Sequence, residues 1–124
     1  MTAPTRQEII DAHEALQNRI ARRPLMDREE VLSIVHEARK AGAAPNLRNS
    51  SLGGVDLSAA NLSGVDLCGA DLRGADLRGA SLYGVDLCGA NLYSASLHGS
   101  DLRHTNLRDA NLRYASLRLS LIHI

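Results

Sequence analysis

The chain has 124 residues, and its 14 Lys plus Arg are matched by 14 Asp plus Glu, for a formal net charge of +0 at pH 7. The balance holds in each part, seven against seven in residues 1–44 and again in 45–124, which excludes bulk electrostatic steering toward nucleic acid or a membrane surface. Its apolar stretches are far too short for a membrane span, the N-terminus lacks the basic and apolar regions of a signal peptide, and two cysteines make no disulfide framework, so a cytoplasmic protein is expected.

Thr5-Arg6-Gln7-Glu8 reads as a capping box, and Ile9, His13, Leu16 and Ile20 follow at helical spacing, predicting a helix over about 6–22. Pro24 breaks it. Asp27-Arg28-Glu29-Glu30 repeats the capping signature ahead of Val31, Leu32, Val35 and Ala38, with Gly42 beyond, predicting a second helix over about 28–41. Two roles stand for this helical N-terminal segment, residues 1–44. As an end cap, its two apolar stripes pack together while Leu25, Met26 or Leu32 hides the open edge of whatever follows. As a docking module tethered through Ala43-Ala44-Pro45, it mediates dimerisation or partner binding. A DNA-reading helix-turn-helix is weaker, because two helices alone rarely make a stable reader and their charges balance.

From Leu47 to Leu117 every fifth residue is leucine, fifteen times without a miss. Two positions earlier stands a small residue (Pro45 in the first repeat), one earlier stands Asp, Asn or Ser, and Gly usually lies two later. In an α-helix each step of five advances about 500°, so the leucines would scatter around the cylinder. In a flat strand an odd spacing throws every second Leu to the opposite face. A chain that turns a corner every five residues escapes both conflicts: each Leu points inward from a new side, and four sides close a coil of about twenty residues.

Runs such as Ala70-Asp71-Leu72-Arg73-Gly74 and Ala75-Asp76-Leu77-Arg78-Gly79 resemble the pentapeptide-repeat family over about residues 45–118. The resemblance implies a mainly β fold, a right-handed quadrilateral β-helix of about four coils. Its core would hold Leu57, Leu62, Leu67, Leu72, Leu77, Leu82, Leu87, Leu92, Leu97, Leu102, Leu107 and Leu112. Ser100 and Thr105 occupy the small inward position and need backbone partners there.

Four sides of five residues stack positions twenty apart, about 4.7–4.9 Å from rung to rung. The outward columns are then Arg48, Cys68, Cys88, Arg108; Gly53, Arg73, Tyr93, Arg113; Ser58, Arg78, His98, Arg118; and Ser63, Tyr83, Arg103. The last coil carries Arg103, Arg108, Arg113 and Arg118 on four successive sides, an arginine belt. With His104 and Tyr114 it is the candidate interaction surface, suited to an acidic protein patch or a phosphate backbone. Asp101 and Asp109 inside the belt favour a solvated face, and nucleic acid is not expected. Ser94, His104, Asp109 and Tyr114 replace Gly at later corners, predicting turns without positive φ there.

Cys68 and Cys88 sit on adjacent rungs, within disulfide reach by spacing, but parallel side-chain directions and the absence of a secretion signal favour a reduced pair. The five histidines form no local ligand motif with them, so no metal or other cofactor is expected. No nucleophile motif, P-loop or dinucleotide fingerprint occurs, and His98 and His104 lie on a convex surface, so no catalytic residue is assigned. Tyr83, Tyr93 and Tyr114 spread over two faces, which suits surface contacts better than a stacking platform for single strands.

The pattern lapses at Leu119-Ser120-Leu121-Ile122-His123-Ile124, so 119–124 reads as an irregular tail. The string resembles the translation of a transposon sequencing adapter, which would make the natural chain continue past Arg118. A frayed hydrophobic terminal strand is the other reading. For function, the expectation is a non-enzymatic protein-binding or scaffold solenoid, bacterial by resemblance, with an unidentified protein partner and an end-to-end or helix-mediated homodimer as its candidate assembly. The alternative, from a family branch whose solenoids mimic duplex DNA, is gyrase binding and quinolone protection. That branch implies an acidic surface and a C-terminal dimerising element, whereas this repeat region is neutral with a basic last coil.

Overall fold

A computed structural model of the chain describes residues 3–11 and 25–122. The first helix, α1, is helical over 6–11, and its start is the expected reciprocal cap. The Glu8 N–H donates to Thr5 Oγ1 at 3.1 Å, and the Thr5 N–H donates to Glu8 Oε2 at 3.3 Å. The rest of the predicted 6–22 helix and Pro24 lie outside the described residues. The second helix, α2, runs Arg28–Lys40, with Glu30 N–H donating to the Asp27 carboxylate at 2.8 Å. Glu29 and Glu30 in its first turn and Arg39 and Lys40 in its last both complement the helix dipole.

Beyond α2 the chain coils in rungs of twenty residues. Among the described residues twelve parallel bridges join positions twenty apart, from Asn46↔Asp66 to Asp101↔Leu121. Each side is too short to build a longer ladder: one bridge residue alternates with a turn, so the described coils contain isolated bridges in place of extended strands. The repeat around Leu72 shows the wiring. Asp71 N–H donates down to Ser50 O (2.9 Å), Leu72 N–H up to Asn91 O (2.7 Å) and Gly74 N–H up to Tyr93 O (2.8 Å), while Ala75 N–H closes the turn onto Leu72 O (3.0 Å). Three of every five backbone donors therefore bind a neighbouring rung, which is why a single repeat cannot be stable alone.

The small residue and the leucine face inward. Leu52 through Leu97 are wholly buried and Leu102 nearly so. Leu107 and Leu112, expected in the core, are only half-buried, because no described rung lies over them. Ser100, fully buried, donates its hydroxyl to Leu97 O at 2.7 Å, and Thr105 donates to Leu82 O at 2.8 Å, so both inward hydroxyls are satisfied.

The corners correct one expectation. Ser94, His104, Asp109 and Tyr114 all adopt positive φ, between 57° and 60°, as do Asn49, Ala59 and Leu119. The turn itself explains this: at each of these corners the next residue's N–H returns to the leucine carbonyl, as Thr105 does to Leu102 O, Ala110 to Leu107 O and Ala115 to Leu112 O, and this turn takes φ > 0 at its third position whatever the side chain. Residues 119–122 continue the same pattern where an irregular tail was expected: Leu121 N–H donates to Ser100 O at 2.8 Å and Leu102 N–H to Leu121 O at 2.7 Å.

The segment entering α2 and the helix itself lie across the open edge of the first coil. Met26, Val31 and Val35 are buried in the same cluster as the solenoid leucines, with Leu32 and Ile34 partly buried against it. Leu25 stays 58% exposed. The carbonyls that a preceding rung would engage find other donors: Met26 N–H to Ser51 O (3.0 Å), Arg28 Nη1 to Asp56 O (3.2 Å) and Ser58 O (3.0 Å), and Arg39 Nη2 to Ser63 O (2.9 Å). No described helix is long and apolar enough to cross a membrane.

Candidate functional site

The residue before each leucine controls the outer wall. In all eleven described repeats that carry Asp or Asn there, a side-chain oxygen accepts the N–H of the residue two later, at 3.0–3.2 Å. This is the local bond short polar side chains favour at corners. When the pair is Asp and Arg, a second contact follows. Arg73, Arg78 and Arg103 each fold back on Asp71, Asp76 and Asp101 as a two-pronged fork, with Nε and Nη2 on separate carboxylate oxygens at 2.6–2.9 Å. Each guanidinium holds its aspartate below the usual carboxylate range, Asp101 to about 2. Each of the three arginines is shifted upward in turn by its aspartate.

The proposed belt is thereby divided. Arg103 is clamped by Asp101 and lies over the Tyr83 ring at 5.6 Å, so it is not a spare cation. Arg108 and Arg113 follow Asn106 and Asn111, and Arg118 follows Ser116; a neutral residue accepts the backbone N–H at best and leaves the guanidinium alone. Among the described residues no carboxylate engages Arg108, Arg113 or Arg118, and all three are exposed. Arg48 follows Asn46 but reaches one rung up to Asp66 at 3.1 Å.

Aromatic side chains sit beside these arginines. Tyr93 and Tyr114, twenty-one residues apart, meet edge to face at 5.4 Å, and Tyr114 is 76% exposed. They adjoin Arg113, which occupies the rung above Tyr93. His104 meets Tyr83 in the same manner at 5.1 Å. Pairs offset by one rung plus one corner residue were missed in the sequence; the signal is a separation of twenty-one.

Cys68 and Cys88, expected as a reduced pair, are joined by a disulfide, with Cα atoms 4.6 Å apart. Direct stacking in one column brings them within the separation a disulfide spans, and parallel side-chain directions do not prevent it. The Asp86 carboxylate lies beside them, so that the two sulfurs and a carboxylate oxygen fall within 4.8 Å of one another. A search for local ligand motifs missed this grouping, because its members meet through the twenty-residue register.

Comparison with known proteins follows the same region. The family "Pentapeptide repeats" matches in eight copies, over residues 44–74, 56–92, 70–109 and 90–120, more than half of the chain. A search of curated proteins finds no match. Among solved structures, a pentapeptide repeat protein of the Arabidopsis thaliana thylakoid lumen is 32% identical with a TM-score of 0.62; the match covers 64% of this chain and 55% of that one. One from Nostoc PCC 7120 is 35% identical with a TM-score of 0.42, covering 75% and 78%. QnrB1, a plasmid-mediated fluoroquinolone resistance protein, is 23% identical with a TM-score of 0.42, covering 62% and 43%. The chain therefore spans little more than half of the Arabidopsis protein. The unbroken five-residue register, the parallel stacking at twenty and the match over 44–120 lead to one conclusion: the chain belongs to the pentapeptide repeat family and builds a right-handed β-helix solenoid.

Proposed function

We propose that the protein is a non-enzymatic binding or scaffold solenoid, and that its last coil docks an acidic patch on a protein partner. One observation carries the reading: among the described residues Arg108, Arg113 and Arg118 are exposed without a carboxylate partner, on a scaffold that clamps its other outward arginines against an aspartate. Guanidinium forks left open on a rigid wall lose little freedom on binding a carboxylate. Tyr93 and Tyr114 add apolar area beside Arg113, the pairing of aromatic and Arg that dominates protein interfaces. A cytoplasmic location belongs to the same reading, and fractionation of the source cell tests it.

The variant Asn111→Asp with Ser116→Asp tests the surface by recreating the Asp-Leu-Arg fork at Arg113 and Arg118. A polyglutamate peptide should bind the wild type in a salt-sensitive manner and the variant several-fold more weakly. Equal binding to both would reject the acidic-patch reading. Gyrase binding is less favoured, since a duplex mimic needs an acidic wall and this one bears unpaired arginines; inhibition of gyrase supercoiling by the chain would reverse that ranking.

A further inference from the structure

We propose that Cys68, Cys88 and Asp86 form a redox-gated site for a thiophilic divalent cation of the Zn²⁺ class, closed while the two sulfurs are joined and open when they are reduced. A dithiol reductant supplies two electrons and two protons to the S–S bond, giving two thiols and an oxidised reductant. Binding the cation then releases both thiol protons and leaves a dithiolate complex, with Asp86 as third ligand and water as fourth.

The scaffold suits this chemistry without backbone movement. A tetrahedral cation with sulfur ligands at about 2.3 Å needs the two sulfurs roughly 3.8 Å apart. That separation falls between a covalent S–S bond and the 4.6 Å that separates the two Cα atoms, so side-chain rotation alone reaches it. Stacked rungs fix the two cysteines in register above and below, since Gly69 N–H donates to Cys88 O at 2.7 Å and Leu67 N–H to Asp86 O at 2.8 Å. The third ligand is already oriented. Asp86 Oδ1 accepts Cys88 N–H at 3.0 Å and Asn106 Nδ2 at 3.2 Å, which holds the carboxylate beside the two sulfurs, and Asn106 is itself held by Arg108 N–H at 3.1 Å. Such outer contacts fix metal ligands elsewhere.

The column also separates Asp86 from its neighbour Asp66, whose Oδ2 is taken by Arg48 at 3.1 Å. No arginine engages Asp86 among the described residues. Two thiolates and Asp86 carry three negative charges against two on the cation, and Arg108, on the next rung of the same column, balances the remainder.

The test titrates the full chain with Zn²⁺ or Cd²⁺ alone, after reduction by a non-coordinating phosphine and in parallel after oxidation. The reduced protein should bind one equivalent, and Cd²⁺ should give the ultraviolet thiolate-to-metal absorption. The oxidised protein should bind none. Asp86→Asn keeps both thiols and should weaken binding by about tenfold or more, while Cys68→Ser should abolish the charge-transfer band. Circular dichroism confirms that each variant is folded, and Asp86→Asn carries the test should Cys68→Ser not fold. Equal binding by oxidised and reduced chains, binding without the thiolate band, or no loss in Asp86→Asn would each overturn the proposal.

Discussion

Arg103 is locked onto Asp101 by two bonds of 2.9 and 2.8 Å, and the same arginine position one side later, Arg108, has an asparagine where that aspartate stands. A single carboxylate-to-amide exchange thus decides whether a solenoid wall presents a neutral fork or an open cation. Asp101→Asn should free Arg103 and strengthen polyglutamate binding at low salt, with little change in melting temperature, because exposed ion pairs contribute only about 0–1 kcal/mol. A fall in affinity would show that Asp101 contributes to the surface in some other way.

The Asp101 fork also predicts a pH dependence. Its carboxyl is lowered from 3.8 to about 2 in the folded chain by the side-chain bonds from Arg103. The folded state binds fewer protons there than the unfolded state, so the contribution is fully present above about pH 4 and is lost as pH falls toward 2. Thermal melts across that window should show a steeper loss for the wild type than for Asp101→Asn. Parallel curves would contradict the shift.

Core and end leucines should differ. Leu82 is wholly buried between rungs and Leu112 is not. Leu82→Ala should cost about 2–5 kcal/mol in denaturant unfolding. Leu112→Ala should cost distinctly less.

The corners offer a cleaner backbone test. Gly79 has φ 67° and nothing within 4 Å of where a Cβ would stand, so Gly79→Ala isolates the left-handed penalty, about 1–2 kcal/mol. Asp109→Gly should conversely stabilise by about 1 kcal/mol, because aspartate there already holds φ 59°. Stabilisation by Gly79→Ala together with destabilisation by Asp109→Gly would refute the turn assignment.

At the other end, Arg28 bonds two otherwise open carbonyls of the first coil. Arg28→Gln should destabilise by about 1–2 kcal/mol in urea unfolding, through loss of charged hydrogen bonds to Asp56 and Ser58. A neutral effect would argue that α2 does not protect that edge.

The leucine register made the coil legible because a five-residue spacing fits neither a helix nor a flat strand, and Asp27 with Glu30 marked the start of α2. What stayed hidden depends on how rungs meet. Positive φ at Tyr114 follows from the bonding of its neighbours, not from tyrosine's own preference. The disulfide and the Asp86 grouping arise at a separation of twenty, and Tyr93 with Tyr114 at twenty-one. Arg103, Arg108, Arg113 and Arg118 look alike as letters, and only the preceding Asp, Asn or Ser separates them, a side-chain bond that periodicity does not encode.

The most direct test of the interaction surface is a residue-resolved NMR titration of the full chain with polyglutamate, following the arginine Nε–H signals. Perturbation concentrated at Arg108, Arg113 and Arg118, with Arg73, Arg78 and Arg103 unmoved and the response suppressed by salt, is the predicted result. Uniform shifts across all these arginines, or changes centred on the clamped three, would contradict the account.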